Sequence, residues 1–182
     1  MKTLKNGMLD VTPTGRYLAI VKRNAQKSPL LRLPLEICNK IWMFVLKRDR
    51  RHEPENVRPS YCYAVCWHLS IIQVCRQTYA VTALLPFAIN SFHVNSRMDR
   101  RNLLQLLPGQ RDAIQELFDM DYFLDERIEW PIHRFHGLKT LYVEFMVLPV
   151  LGEYLGPDGE QAVVNKIGAR SEVPDLEVHV RQ

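Results

Sequence analysis

The stretch from Pro34 to Leu46 constrains this chain more than any other, because it wraps more apolar surface around one predicted helix than a single core contact can cover. Pro34 suits the opening turn, where a missing N–H costs nothing and φ is already helical. At about 100° per residue, Leu35, Ile37, Cys38, Ile41, Trp42, Phe44, Val45 and Leu46 fill an arc of roughly 200°. Glu36, Asn39, Lys40 and Lys47 are left as a narrow polar wedge. A surface helix needs an apolar stripe of only about 100°. Two sides of this helix are therefore expected to be buried, one in its own core and one elsewhere.

A second stretch, Ile71 to Tyr79, echoes the first and predicts a helix from about Leu69 to Leu85, stopped by Pro86. Its apolar face holds Ile71, Ile72, Val74, Cys75, Thr78, Tyr79, Thr82 and Leu85, with Leu84 on the polar side. Phe92-His93-Val94 is a strand candidate, and Ser96-Arg97-Met98-Asp99 fits a capping box opening a helix whose leucines end at Pro108-Gly109. Ile114-Gln115-Glu116-Leu117 and Leu138-Lys139-Thr140-Leu141 then repeat one pattern at a spacing of 24 residues. That is inside the roughly 20–29 residues of leucine-rich repeats, although two copies do not make a solenoid. Leu141, Val143 and Phe145 alternate with Tyr142, Glu144 and Met146 as a strand requires, and Leu176, Val178 and Val180 alternate likewise. Glu160 to Ile167 reads as a helix closed by Gly168, so this region predicts a parallel strand–helix–strand crossover. The expected class is α+β, with a helical N-terminal half packed on a smaller strand and helix half of leucine-rich-repeat-like spacing.

A chain of 182 residues fits one domain, assigned to residues 30–182, with a core at 30–94 and an α/β remainder at 95–182. Residues 1–29 read as a flexible basic tail with one short strand over Tyr17–Val21. There Lys2, Lys5, Arg16, Lys22, Arg23 and Lys27 face only Asp10. No apolar run approaches the roughly 20 residues of a membrane span, and the first 29 residues lack the apolar segment of a signal peptide. An intracellular protein of cytoplasm or nucleus, without membrane contact, is the expectation. Cys38 and Cys75 fall on apolar helix faces, and Cys62, Cys66 and His68 lack a fourth zinc ligand other than Cys75. Reduced thiols and no metal or cofactor follow as the reading.

Catalytic motifs are missing from the sequence: it has no G-x-S-x-G elbow, phosphate loop, dinucleotide fingerprint or H-E-x-x-H. Glu129, His133 and His136 are the best cluster, but Pro131 argues against the continuous helix that would gather them. Asp119 with Asp121, and Asp125 with Glu126, read as solvated loop charges. No enzyme is expected. Lys47, Arg48, Arg50 and Arg51, with Arg97, Arg100 and Arg101 near Phe92, are the residues a nucleic-acid contact would use.

Leu30-Leu31-x-Leu33-Pro34-x-Glu36-Ile37-x3-Ile41-x3-Val45-Leu46, followed by Val74-Cys75-Arg76, resembles an F-box motif. With Gln77-x-Tyr79-Ala80 and Leu84-Leu85-Pro86-Phe87 continuing it, the sequence is similar to the large fungal families of F-box-like proteins of mostly unknown function. The likeness covers about residues 28–94, and more loosely Leu103 to Val143. Roughly two dozen residues separate its two segments, where an F-box has a short linker. The resemblance implies that these helices pack on the Skp-type adaptor of a cullin ubiquitin ligase while the rest of the chain holds a substrate. It implies recruitment without bond making, a proximity effect. The residues it assigns to the partner are Leu33, Pro34, Ile37, Ile41, Trp42, Val45, Leu46 and Val74. The alternatives are a basic nucleic-acid-associated protein and an F-box-like fold that has lost adaptor binding.

Overall fold

A computed structural model describes residues 2–15, 17–47, 75–94, 96–119, 131–144 and 157–181. Val74, the Cys62–Cys66 pair, Glu129, Phe145 and most of the segment between the two apolar stretches lie outside the described residues. In chain order the elements are α1 (Tyr17–Lys27), a 3₁₀ turn (Leu30–Arg32), α2 (Leu35–Leu46), α3 (Arg76–Thr82), α4 (Leu85–Ala88), β1 (Ser91–Val94), α5 (Arg97–Leu104) and α6 (Pro108–Ala113). They continue with β2 (Glu116–Asp119), a 3₁₀ turn (Ile132–Arg134), β3 (Thr140–Glu144), α7 (Pro157–Ser171) and β4 (Glu177–Arg181). Among the described residues the protein is thus a mixture of helices with one four-stranded sheet, in which every neighbouring pair is parallel and the strands stand in sequence order. No helix among the described residues is long and apolar enough to cross a membrane.

The 24-residue echo is the pairing register of β2 and β3. Glu116 lies opposite Thr140 and Leu117 opposite Leu141. The same register runs on before the strands begin: Lys139 and Thr140 donate their N–H groups to the Gln115 carbonyl, and His136 Nδ1 lies 2.8 Å from Asp112 Oδ1. Gly137 occurs where these two passes of the chain approach each other closely. A Cβ there would stand 1.8 Å from the Asp112 carbonyl oxygen, so only glycine fits.

Strand alternation divides the sheet into two faces. Inward, Phe92, Val94, Leu117, Leu141 and Val143 join Phe87, Leu103, Ile114, Phe135, Leu138 and Ile167 in the main core. Outward, His93, Phe118, Tyr142 and His179 form one row of stacked rings, with successive centroids 4.4, 4.3 and 5.1 Å apart. One inward position is not apolar. Asp119, expected among solvated loop charges, is buried at the end of β2 and accepts a 2.9 Å hydrogen bond from the Arg100 guanidinium.

Four local expectations are corrected. The Tyr17–Val21 stretch is the first turn and a half of α1, not a strand. Lys22 to Lys27 extend it with good helix formers, which favour propagation over a five-residue extended segment. Pro86 does not stop a helix but opens the short α4 after a break at Ala83–Leu84, and Pro108 likewise sits in the first turn of α6. Gly168 does not close α7, which continues to Ser171; Glu172, with φ of 51°, supplies the left-handed exit that was expected of the glycine. Ser96 caps α5 as its spacing predicts, accepting from the Asp99 N–H at 3.2 Å. Residues 2–27 contact the helices: the Tyr79 hydroxyl accepts from Leu9 N–H, the Asn6 carbonyl from Gly109 N–H, and the Arg76 guanidinium lies over the Tyr17 ring.

Candidate partner-binding surface

Helix α2 begins after Pro34, whose carbonyl accepts from the N–H groups of Ile37 and Cys38 and so starts the helical ladder one residue later than an N1 proline would. The Cys38 thiol donates to the Leu30 carbonyl at 3.2 Å, tying the helix to the 3₁₀ turn before it. At the other end, the Asn90 amide donates at 2.8 Å to both the Leu46 and the Pro86 carbonyls. One side chain thereby satisfies a terminal carbonyl of α2 and fastens it to α4, against which the helix packs.

Packing of that kind divides the wide apolar arc. Trp42 and Leu46 turn inward and are each only 3% exposed. Phe44 stands 200° round the helix from Trp42 and is 87% exposed, with Ile37 at 42% on the same side. Ile41 and Val45 are half-buried along the flank between the two sides. Leu33, Pro34 and Leu35, at the entry to the helix, are also exposed. The residues singled out from sequence therefore separate: Leu33, Pro34 and Ile37 lie outside, Ile41 and Val45 at the margin, and Trp42 and Leu46 inside. Val74 lies outside the described residues.

Phe44 is the residue that the sequence-based site set lacks, although its place in the apolar arc was visible. Ile37, Ile41 and Phe44 are spaced i, i+4 and i+7, which puts them on one stripe two turns long. An exposed stripe with this spacing is what a helix presents to a hydrophobic groove in a partner. Lys40 and Glu36 lie beside it as exposed charges, forming a polar border on one side.

Chemistry at other places is sparse. Among the described residues no group of three or more His, Cys, Asp or Glu side chains is placed to hold a metal ion. His133 and His136 are exposed on either side of buried Phe135, and His136 meets Asp112 rather than His133. Arg100, one of the basic residues considered for nucleic acid, is buried against Asp119, whereas Arg97 and Arg101 are exposed. Cys75 caps α3, its sulfur accepting from Thr78 N–H at 3.4 Å and lying 3.2 Å from the Thr78 hydroxyl. Partial burial raises the pKa of this thiol, but the hydrogen bonds from Thr78 and Gln77 outweigh that and hold it below its ordinary value. No protein-family model, no curated protein and no solved structure matches the chain.

Proposed function

We infer that this protein is an interaction module that docks through α2 and acts by recruitment, in the manner of an F-box-type substrate adaptor of a cullin ubiquitin ligase. The carrying observation is the division of α2: Trp42 and Leu46 face inward, while Ile37 and Phe44 remain exposed on the opposite side. An apolar stripe bordered by charge suits the core-and-rim anatomy of a protein interface, in which a few aromatic and aliphatic anchors dominate. The Leu-Pro-x-Glu-Ile and Val-Cys-Arg segments point to a Skp-type adaptor as the partner on that stripe. The parallel strands in sequence order, with 24 residues between Glu116 and Thr140, support a leucine-rich-repeat-like reading of the remainder, whose outer face would hold the target.

Titration of the purified chain with a Skp-type adaptor tests the proposal, read by calorimetry or by a pull-down. Binding by the wild type and its loss in Phe44→Asp are expected. Phe44 is the variant of choice because its exposure separates docking from folding. Absence of wild-type binding at micromolar concentration sinks the adaptor reading, and normal binding by Phe44→Asp shows that this is the wrong face.

A further inference from the structure

The geometry points to a two-fold dimer in which β4 pairs antiparallel with β4 of a second copy, joining two four-stranded sheets into one of eight strands. Among the described residues β4 is the outermost strand, hydrogen-bonded on one side to β3. Glu177 donates its N–H to Lys139, so in the alternation of a strand the backbone groups of Glu177, His179 and Arg181 point toward β3. Those of Val178 and Val180 point off the sheet. An open strand edge is a template for pairing, and β4 carries no proline and no lysine, its two charged residues, Glu177 and Arg181, standing only at its ends.

Parity restricts how two such edges can meet. Outward-pointing residues must oppose outward-pointing residues, so the two-fold axis has to pass through a residue, not between two. An axis at His179 is the one that uses all five positions of β4. It places Val178 opposite Val180 of the second copy as a hydrogen-bonded pair, and His179 opposite itself as a non-hydrogen-bonded pair, where side chains come closest. At the ends it sets Glu177 in register with Arg181 of the other copy, acid against base, twice. The strand is therefore self-complementary, as an isologous interface demands.

Both faces of the sheet continue across this axis. Val178 and Val180, half-buried against the core, extend the inward apolar layer. On the outer face the ring of His179 is stacked on Tyr142 on one side, and its side chain is still 52% exposed. His179 Nε2 also lies 3.8 Å from Glu177 Oε2 on the same strand. In the dimer the second His179 would stack on the ring face away from Tyr142 and carry the row of four rings on into a row of eight.

Sedimentation equilibrium of the full chain over a concentration series tests the dimer, together with amide hydrogen exchange. Concentration-dependent dimerisation is expected, with the Val178 and Val180 amides gaining protection as the dimer forms while those of Glu177 and His179 do not change. Glu177→Arg and Arg181→Glu should each weaken the dimer, and the double variant should restore it. These two residues are four positions apart on one extended strand, so restoration cannot arise within a single copy. Val180→Pro removes an outward donor without touching the bonds to β3 and should give a folded monomer. A dimer that persists in Val180→Pro, or charge reversals that do not restore it in combination, overturns the proposal. So does a wild type that is monomeric at every concentration, including one whose β4 amides are protected only on adding an extended peptide.

Discussion

The ion pair between Arg100 and Asp119 is the sharpest stability test in the molecule. Asp119 occupies an inward position of β2, with Val94 and Val143 opposite it on the two neighbouring strands. Its side chain is 1% exposed and that of Arg100 10%, with 2.9 Å between Nη2 and Oδ1. Asp119→Ala removes the buried carboxylate that accepts from the Arg100 guanidinium while leaving that cation in place. Removing one partner of such a pair costs about 3–5 kcal/mol, against about 0–1 kcal/mol for an exposed pair. In a protein of this size the larger cost lowers Tm by roughly 6–20 °C. Replacing both residues by apolar ones, Arg100→Met with Asp119→Leu, should recover most of the loss, because the desolvation of two charges disappears along with their attraction. Urea unfolding followed by circular dichroism, on the wild type, Arg100→Met, Asp119→Leu and the double of these two, gives the coupling energy directly. A single variant costing less than about 1 kcal/mol, or a double variant costing the sum of the singles, refutes the buried-pair argument.

Three further outcomes follow from named geometry. Gly137→Ala should destabilise by at least about 1–3 kcal/mol in the same unfolding assay, because the added methyl meets the Asp112 carbonyl and two stretches of backbone must separate. Within α2, Trp42→Ala should cost about 3–5 kcal/mol, whereas Phe44→Asp should change stability by no more than about 0.5 kcal/mol. Cys75 should be alkylated with a pH midpoint below that of a free thiol, resolved by peptide mass mapping, and Thr78→Val should move the midpoint up. The sign of its linkage is fixed by that direction. A thiol with a lowered folded pKa adds stability above its unfolded pKa, and loses that contribution as the pH falls through the folded value.

Legibility of the fold followed the range of the interactions. The Ser96–Asp99 cap and the alternation of Leu141 with Val143 depend on residues a few positions apart, and both were readable. The 24-residue spacing was readable because it joins two adjacent parallel strands, whose pairing register it is. Pro86 and Pro108 were ambiguous, since proline is equally suited to following one helix and to opening the next. Only the packing of α4 and α6 decides between the two. Asp119 was read as a solvated charge because its partner, Arg100, is 19 positions away on another element. The width of the apolar arc on α2 was visible, but its division was not. Whether Trp42 or Phe44 goes inward is set by where α4 lies and by Asn90, which fastens the end of α2 to it.

A sheet of parallel strands in sequence order has its first and last strands at its edges, here β1 and β4 among the described residues. The β1 end is closed from within. Phe87 of α4 stacks on Phe92 of β1, α4 packs on α6, and Asn6 holds Gly109 from the N-terminal segment. The helices that perform this capping also orient α2, so the exposure of Phe44 is a consequence of how the first end of the sheet is closed. At the β4 end α7 packs on the strand, but among the described residues no strand pairs with its outer edge, where the backbone groups of Val178 and Val180 point. Closing one end with helices leaves an apolar stripe, and leaving the other open leaves a strand whose sequence reads complementarily in reverse. The two surfaces are thus consequences of a single architecture, yet they can be tested separately: Phe44→Asp should leave the dimer intact, and Val180→Pro should leave the α2 stripe intact.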